Sequence, residues 1–252
     1  MTPSVALGER LRRAPRVDST MRWARDAVAS GEAGPGCVFL ADEQTDGRGR
    51  RGRAWVSPAG RGLYVTAVLP GSLAAPSLTL VGALAVAETV ADRCGIETRV
   101  KWPNDLVAGR LKWGGLLAEV IPSPTGEVVL LGLGLNVSHS VEDLGADLAE
   151  SATSLALLTG MEVDRERLLT DVLERLSARL APFQLGGFEA VAAQFARYSS
   201  FAPGDRLELE MGGSTRAATF RGLDGEGRLL LEGEPAPVAS ATLTRVRKAV
   251  RP

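Results

Sequence analysis

Gln44-Thr45-Asp46-Gly47-Arg48-Gly49-Arg50-Arg51-Gly52-Arg53-Ala54-Trp55 sets arginines at 48, 50, 51 and 53 among glycines at 47, 49 and 52. No hydrophobic periodicity runs through Asp42–Arg53, so it reads as a loop. Its glycines let the backbone take unusual dihedrals and approach a ligand closely. Guanidinium forks grip carboxylates and phosphates through paired hydrogen bonds. Backbone N–H groups in such a loop add an anion-binding nest. The expected ligand is a compact anion with several oxygens. Two plainer readings compete, a solvated basic turn and an arginine–glycine segment for RNA. Both are weakened by the setting. The stretch is a single copy, and it lies between two apolar runs that read as strands, Cys37–Leu40 and Gly62–Leu69.

Outward from the loop, Ser19 opens a helix whose apolar stripe is Trp23, Ala27 and Val28, with Gly31 at its stop. The first ten or so residues read as a loose lead-in. Ser77–Cys94, rich in Leu, Ala and Val, predicts a largely buried helix with Gly95 behind it. Thr98–Trp102, Trp113–Ile121 and Val128–Val137 predict strands, with Asn104–Leu111 as a loop. Leu168, Leu169, Val172, Leu173, Leu176 and Leu180 give Asp164–Pro182 helical spacing, and a second helix follows over Gly187–Tyr198. After Pro203-Gly204 come short strand-like runs, Arg206–Met211, Ala217–Leu223, Arg228–Glu232 and Ala241–Val246. The expectation is an α+β domain over 1–201, with a central mixed or antiparallel sheet flanked by helices. A small C-terminal β-barrel over 202–252 follows it.

The chain has 252 residues, 45% of them hydrophobic, with 29 basic against 30 acidic side chains. That balance argues against a general binder of nucleic acid or membrane surfaces. Two cysteines, Cys37 and Cys94, are too few for a secreted disulfide scaffold, which points to the cytoplasm and free thiols. No segment approaches the roughly 20 apolar residues of a membrane span. No cysteine lies in the motifs, and no His/Cys cluster suggests a zinc site. The single histidine, His139, reads as a surface or loop residue.

Three further motifs carry chemistry. Val100-Lys101-Trp102-Pro103-Asn104-Asp105-Leu106 ends a strand at a proline and presents Lys101, Asn104 and Asp105. Lys112-Trp113-Gly114-Gly115-Leu116-Leu117 brings a lysine into a strand whose glycines leave room for a close neighbour. In Leu131-Gly132-Leu133-Gly134-Leu135-Asn136 the alternating glycines clear one strand face, against which a flat group can lie. Taken singly, Lys112 is also an ordinary surface lysine, Asn104-Asp105 a turn and the glycines a packing device.

Together, in this order, the motifs resemble the catalytic domain of the biotin–protein ligase (holocarboxylase synthetase) family. Gly47–Trp55, Lys101–Asp105, Lys112–Leu117 and Gly132–Asn136 carry the resemblance, supported by Asp18-Ser19-Thr20 and Thr153-Ser154-Leu155. It spans Val17 to the C-terminus. It implies a class II synthetase-like domain with an SH3-like C-terminal barrel, and an enzyme that activates biotin with MgATP as biotinyl-5'-AMP. The biotinyl group would then pass to a lysine of a biotin carboxyl carrier protein domain. It further implies that Ser19, Thr20 and Gln44 bind the biotin head group, with Gly47, Arg48 and Gly115 beside the ring and tail. Arg50 and Arg53 would meet the carboxylate and phosphates, and Lys101 and Lys112 would neutralise the reacting centre. Trp55, Gly134 and Asn136 would contact the adenylate, and Asp105 would sit by the reacting atoms as the candidate proton acceptor. For Ser19 a helix cap is an equal explanation.

The sequence departs from the family pattern at Met21, in place of Asn, at Asp46, in place of a small residue, and at Trp113-Gly114, in place of Leu-Ala. The closest rival is a lipoate–protein ligase. Some family members carry an N-terminal DNA-binding module and repress transcription. Here the motifs begin by residue 18, and the expectation is a monofunctional ligase that binds no nucleic acid and no membrane. An edge strand can support a homodimer.

Overall fold

The computed structural model describes residues 6–148, 150–211 and 213–249. Seven strands form one mixed sheet: β1 (Arg10–Ala14), β2 (Cys37–Ala41), β3 (Gly62–Pro70), β4 (Arg99–Lys101), β5 (Asp105–Ala108), β6 (Leu111–Ser123) and β7 (Gly126–Asn136). Their order is β1-β2-β3-β7-β6-β5-β4, and only the β1–β2 pair is parallel. Two strands differ from the sequence expectation. β5 lies inside the stretch 104–111 expected as loop, where four extended residues sit between the turn residues Asn104 and Gly109. β1 lies where a lead-in was expected and pairs on one side only. Residues 1–5 of that lead-in lie outside the described residues.

The period-2 alternation of β7 assigns the two faces. Val129, Leu131, Leu133 and Leu135 enter the larger core with α2 (Leu78–Cys94), α5 (Arg165–Gly186) and α6 (Glu189–Tyr198). Val128 and Leu130 face the other way, onto α1 (Thr20–Ala29) through Met21, Ala24 and Val28. α2 is buried around most of its circumference and stops at Gly95 in the left-handed conformation. Arg179 Nε of α5 donates to the buried Glu88 of α2 at 2.8 Å, so that carboxylate is not left unpaired. α5 runs four residues past its expected end at Pro182. The proline removes one N–H near the terminus, and burial of Phe183 keeps the last turn on the core. Two short helices, α3 (Val141–Leu144) and α4 (Leu155–Thr159), follow β7.

The C-terminal strands β8 (Arg206–Met211), β9 (Ser214–Leu223), β10 (Leu229–Leu231) and β11 (Thr242–Arg247) form an antiparallel sheet. Its order is β10-β9-β8-β11, with β10 and β11 as edges. This four-stranded sheet occupies the segment expected as a small barrel and is consistent with that expectation. Leu207, Leu209, Phe220, Leu231 and Leu243 join the same buried cluster as α2 and α5. Trp102 Nε1 donates to the Gly227 carbonyl at 3.0 Å, which ties the Lys101–Asp105 motif to this sheet.

Candidate active site

The α1 face of the sheet is left uncovered beyond Met21, and a cavity of about 430 Å³ opens there. At its inner end the hydrogen bonds run in one direction. Thr66 Oγ1 donates to Thr20 Oγ1 at 2.9 Å, and Thr20 donates through both its N–H and its hydroxyl to Gln44 Oε1 at 2.9 and 3.1 Å. Gln44 Nε2 donates to Ser57 Oγ at 3.0 Å, and Ser57 Oγ donates to the Trp55 carbonyl at 3.1 Å. A chain of this kind fixes each rotamer and each donor direction before a ligand arrives. Ser19 stands at the N-cap of α1, but its side chain makes no capping bond. Its buried hydroxyl sits on the cavity wall. The capping explanation for Ser19 is therefore set aside.

The floor is a row of register partners: Lys101 opposite Asp105, Asp105 opposite Gly115, and Gly115 opposite Gly134. The two glycines keep the row low. A Cβ on Gly134 would lie 2.6 Å from Trp55 Nε1, so the flat group resting on this strand is the indole of Trp55. Lys112 Nζ lies 5.3 Å from the centre of that indole and 2.6 Å from Asp105 Oδ1. Burial pushes the Lys101 ammonium below its ordinary range. Asp105 opposes the shift and Lys112 adds to it. Asn136 Nδ2 donates to the Thr153 carbonyl at 3.0 Å, holding the strand end against the segment after α3.

The arginine loop closes the outer side. Gly49 N–H donates to the Arg53 carbonyl at 2.7 Å and Trp55 N–H to the Gly47 carbonyl at 2.8 Å, which gives the loop a narrow neck. Asp46 lies between Arg22 and Arg48, 2.9 Å from each guanidinium, and both hold its carboxyl below the usual range. Arg50 reaches Asn104 Oδ1 at 3.3 Å, and burial lowers its pKa. The cavity wall carries Arg48, Arg50, Arg51, Arg53, Lys101, Arg110 and Lys112, and among the described residues Asp105 is its only carboxylate. Lys101, Arg53 and Arg110 have side chains with no hydrogen bond or ion pair among those residues, so their charge is available to a ligand. That excess of positive charge suits a polyanion. No cluster of three or more His, Cys, Asp or Glu side chains able to hold a metal ion occurs among the described residues.

Residues 13–136 match the biotin/lipoate A/B protein ligase family. The biotin–[acetyl-CoA-carboxylase] ligase of Paracoccus denitrificans is 37% identical over 86% of this chain and 92% of its own length. The chain belongs to this ligase family. The bifunctional ligase/repressor BirA of Bacillus spizizenii is 31% identical over 86% of this chain and 67% of its own length. Among solved structures, the biotin protein ligase from Aquifex aeolicus in complex with biotin and ATP aligns with a TM-score of 0.80 at 28% identity. That alignment covers 96% of this chain and all of the other.

In this family member the cavity wall gathers Ser19, Thr20, Gln44, Arg48, Arg50, Arg53, Trp55, Lys101, Asp105, Lys112, Gly115, Gly134 and Asn136. Gly47 is not on the wall. A Cβ there would come within 2.6 Å of the Trp55 carbonyl, so the glycine lets the two arms of the loop meet. His139 lies in a loop, one of the two expected settings, but it is buried there and not at the surface: Tyr64 OH lies 3.2 Å from its Nε2, and burial lowers its pKa to about 4. Sequence reading missed Arg110, Ser57, Thr66 and Thr242. Arg110 had a usable signal, a cation beside Gly109 two residues before Lys112. Ser57 and Thr66 had none, because nothing local reveals that they complete the chain through Gln44. Both cysteines are free, and no helix among the described residues is long and apolar enough to cross a membrane.

Proposed function

We propose that the cavity activates biotin with ATP and transfers the biotinyl group to a lysine of a biotin carboxyl carrier protein domain. One observation carries this reading: among the described residues, seven cationic side chains surround a single carboxylate, continuous with a small preorganised polar pocket. A neutral head group fits the Thr20–Gln44–Ser57 end, and anions fit the arginine end. The substrate's name rests on relatives. The Paracoccus enzyme is named a biotin ligase, and the Aquifex structure is described with biotin and ATP.

In the first step the biotin carboxylate attacks the α-phosphorus of ATP, a P–O bond forms, and pyrophosphate leaves. Arg50, Arg53, Lys101 and Lys112 offset the repulsion between the two anions as charge builds in the transition state. Mg²⁺ would enter with ATP as the MgATP substrate and would offset phosphate charge alongside these cations. In the second step a neutral lysine amine attacks the acyl carbon and AMP leaves. A free lysine has a pKa of about 10.4, so its proton needs an acceptor, and Asp105 is the wall carboxylate that can take or steer it.

The relative matched over 92% of its length is named as a ligase alone, whereas the chain covers 67% of a ligase/repressor. The reading is that of a ligase acting in the cytoplasm, where ATP is supplied. The open edge of β1 is the place where a second copy could pair. Biotin-dependent exchange of pyrophosphate into ATP tests the reading against its nearest rival. Exchange with biotin and little with lipoate is expected. The reverse preference would make the protein a lipoate ligase.

A further inference from the structure

Two hydrogen bonds join the arginine loop to the C-terminal sheet across 190 and 191 residues of sequence. Arg50 Nη2 donates to Ser240 Oγ at 3.0 Å, and Arg51 Nη1 donates to Thr242 Oγ1 at 2.6 Å. Arg51 is the only non-glycine residue with positive φ among the described residues, at +57°. A side chain at such a backbone persists where surrounding contacts hold it. Next to Arg51, Gly52 at φ +72° has no atom within 4 Å of where a Cβ would stand. The Arg53 guanidinium has no partner among the described residues. Thr242, by contrast, opens β11 and pairs with Glu210 of β8, so its hydroxyl is fixed by a sheet. Ala241, Thr242 and Leu243 also line the cavity.

We propose that Ser240 and Thr242 are positioning residues that hold the arginine loop over the cavity, so that the C-terminal sheet sets how long the activated acyl-adenylate stays bound. The proposal rests on the reading that this site makes such an adenylate. A mixed anhydride is open to hydrolysis, and a closed loop keeps water from it. Neutral hydroxyls suit the task. They orient a guanidinium but bind it less tightly than a carboxylate, so the loop can reopen for the acceptor lysine.

The test uses the full chain loaded with biotin and MgATP, cleared of free ligand, and followed for release of biotinyl-AMP. Thr242→Val removes the acceptor at near-constant volume, Thr242→Ser keeps it, and Arg51→Asn removes the donor with a residue that tolerates positive φ. Release from Thr242→Val and Arg51→Asn is expected to be about tenfold faster than from the parent, the scale of one lost hydrogen bond to a charged group. Thr242→Ser should stay near the parent. The double variant should release no faster than either single one, because both delete the same contact. Thermal melting confirms that each variant is folded. Equal retention in Thr242→Val and the parent, or additive effects in the double variant, overturns the proposal. If the parent forms no adenylate, the functional reading fails instead. Protease cleavage within 48–53 of the ligand-free proteins then decides the latch: faster in Thr242→Val supports it, equal rates refute it.

Discussion

Lys112 Nζ lies 2.6 Å from Asp105 Oδ1, and the pair sets the only carboxylate of the described cavity wall against one of its cations. Both side chains are partly open to solvent, so the pair adds little to stability. In the proposed mechanism Asp105 is the proton acceptor, and the contact with Lys112 holds its carboxylate in place. Asp105→Asn keeps the shape and removes the charge. Single-turnover assays of the two half-reactions should show biotinyl-AMP formation nearly unchanged and transfer to the acceptor lysine slowed about 10²-fold. Equal loss in both, or in neither, rules out that role.

Lys101 gives a pH signature. Burial lowers its pKa, so its charge is present below that lowered value and lost as pH rises through it. The alkaline limb of adenylate formation should therefore fall below the ordinary lysine range of about 10.4. Lys101→Arg should move the limb upward, since a guanidinium stays charged. Superimposed pH profiles of biotin-dependent pyrophosphate exchange would assign the limb to another group.

Gly134 and Gly132 should respond differently to a methyl group. At Gly134 the new Cβ would meet the rigid indole of Trp55 at 2.6 Å; at Gly132 it would meet the flexible thioether of Met21 at 2.9 Å. Gly134→Ala should cost about 1–3 kcal/mol in urea unfolding and raise the KM for ATP. Gly132→Ala should cost less, and its effect should fall on the KM for biotin. Equal costs would mean that Trp55 moves aside as freely as Met21.

The same contrast explains what was legible in the sequence. β3 and β7 read directly because each is a long apolar run bounded by turn residues, and the cations read directly because charge is visible without a fold. β1 was hidden because Arg10, Arg12 and Arg13 give it the texture of a solvated tail. In the structure Arg13 pairs with Glu166 of α5, 153 residues away, and the edge strand keeps its charges. β5 was hidden because the turn residues at both its ends outweigh four extended positions. The latch at Ser240 and Thr242 has no local signal at all, since only tertiary packing brings it to the loop.

His139 makes stability depend on pH. Its buried ring is held at a pKa of about 4 against 6.5 unperturbed, so between these values the unfolded chain binds the proton and the folded one does not. Stability is therefore full above about pH 6.5 and falls as pH drops toward 4, by roughly 3 kcal/mol from this group. Urea titrations of the parent and His139→Gln at pH 7 and pH 4.5 measure it. The variant should lose less stability between the two pH values, and an identical loss would place the acid sensitivity elsewhere.

Mass spectrometry of the protein incubated with biotin, ATP and Mg²⁺, without acceptor, tests the central claim most directly. Biotinyl-AMP retained in near-stoichiometric amount, and absent when biotin or ATP is left out, is the expected result. Parent protein that binds both substrates but forms no biotinyl-AMP would contradict biotin activation at this site.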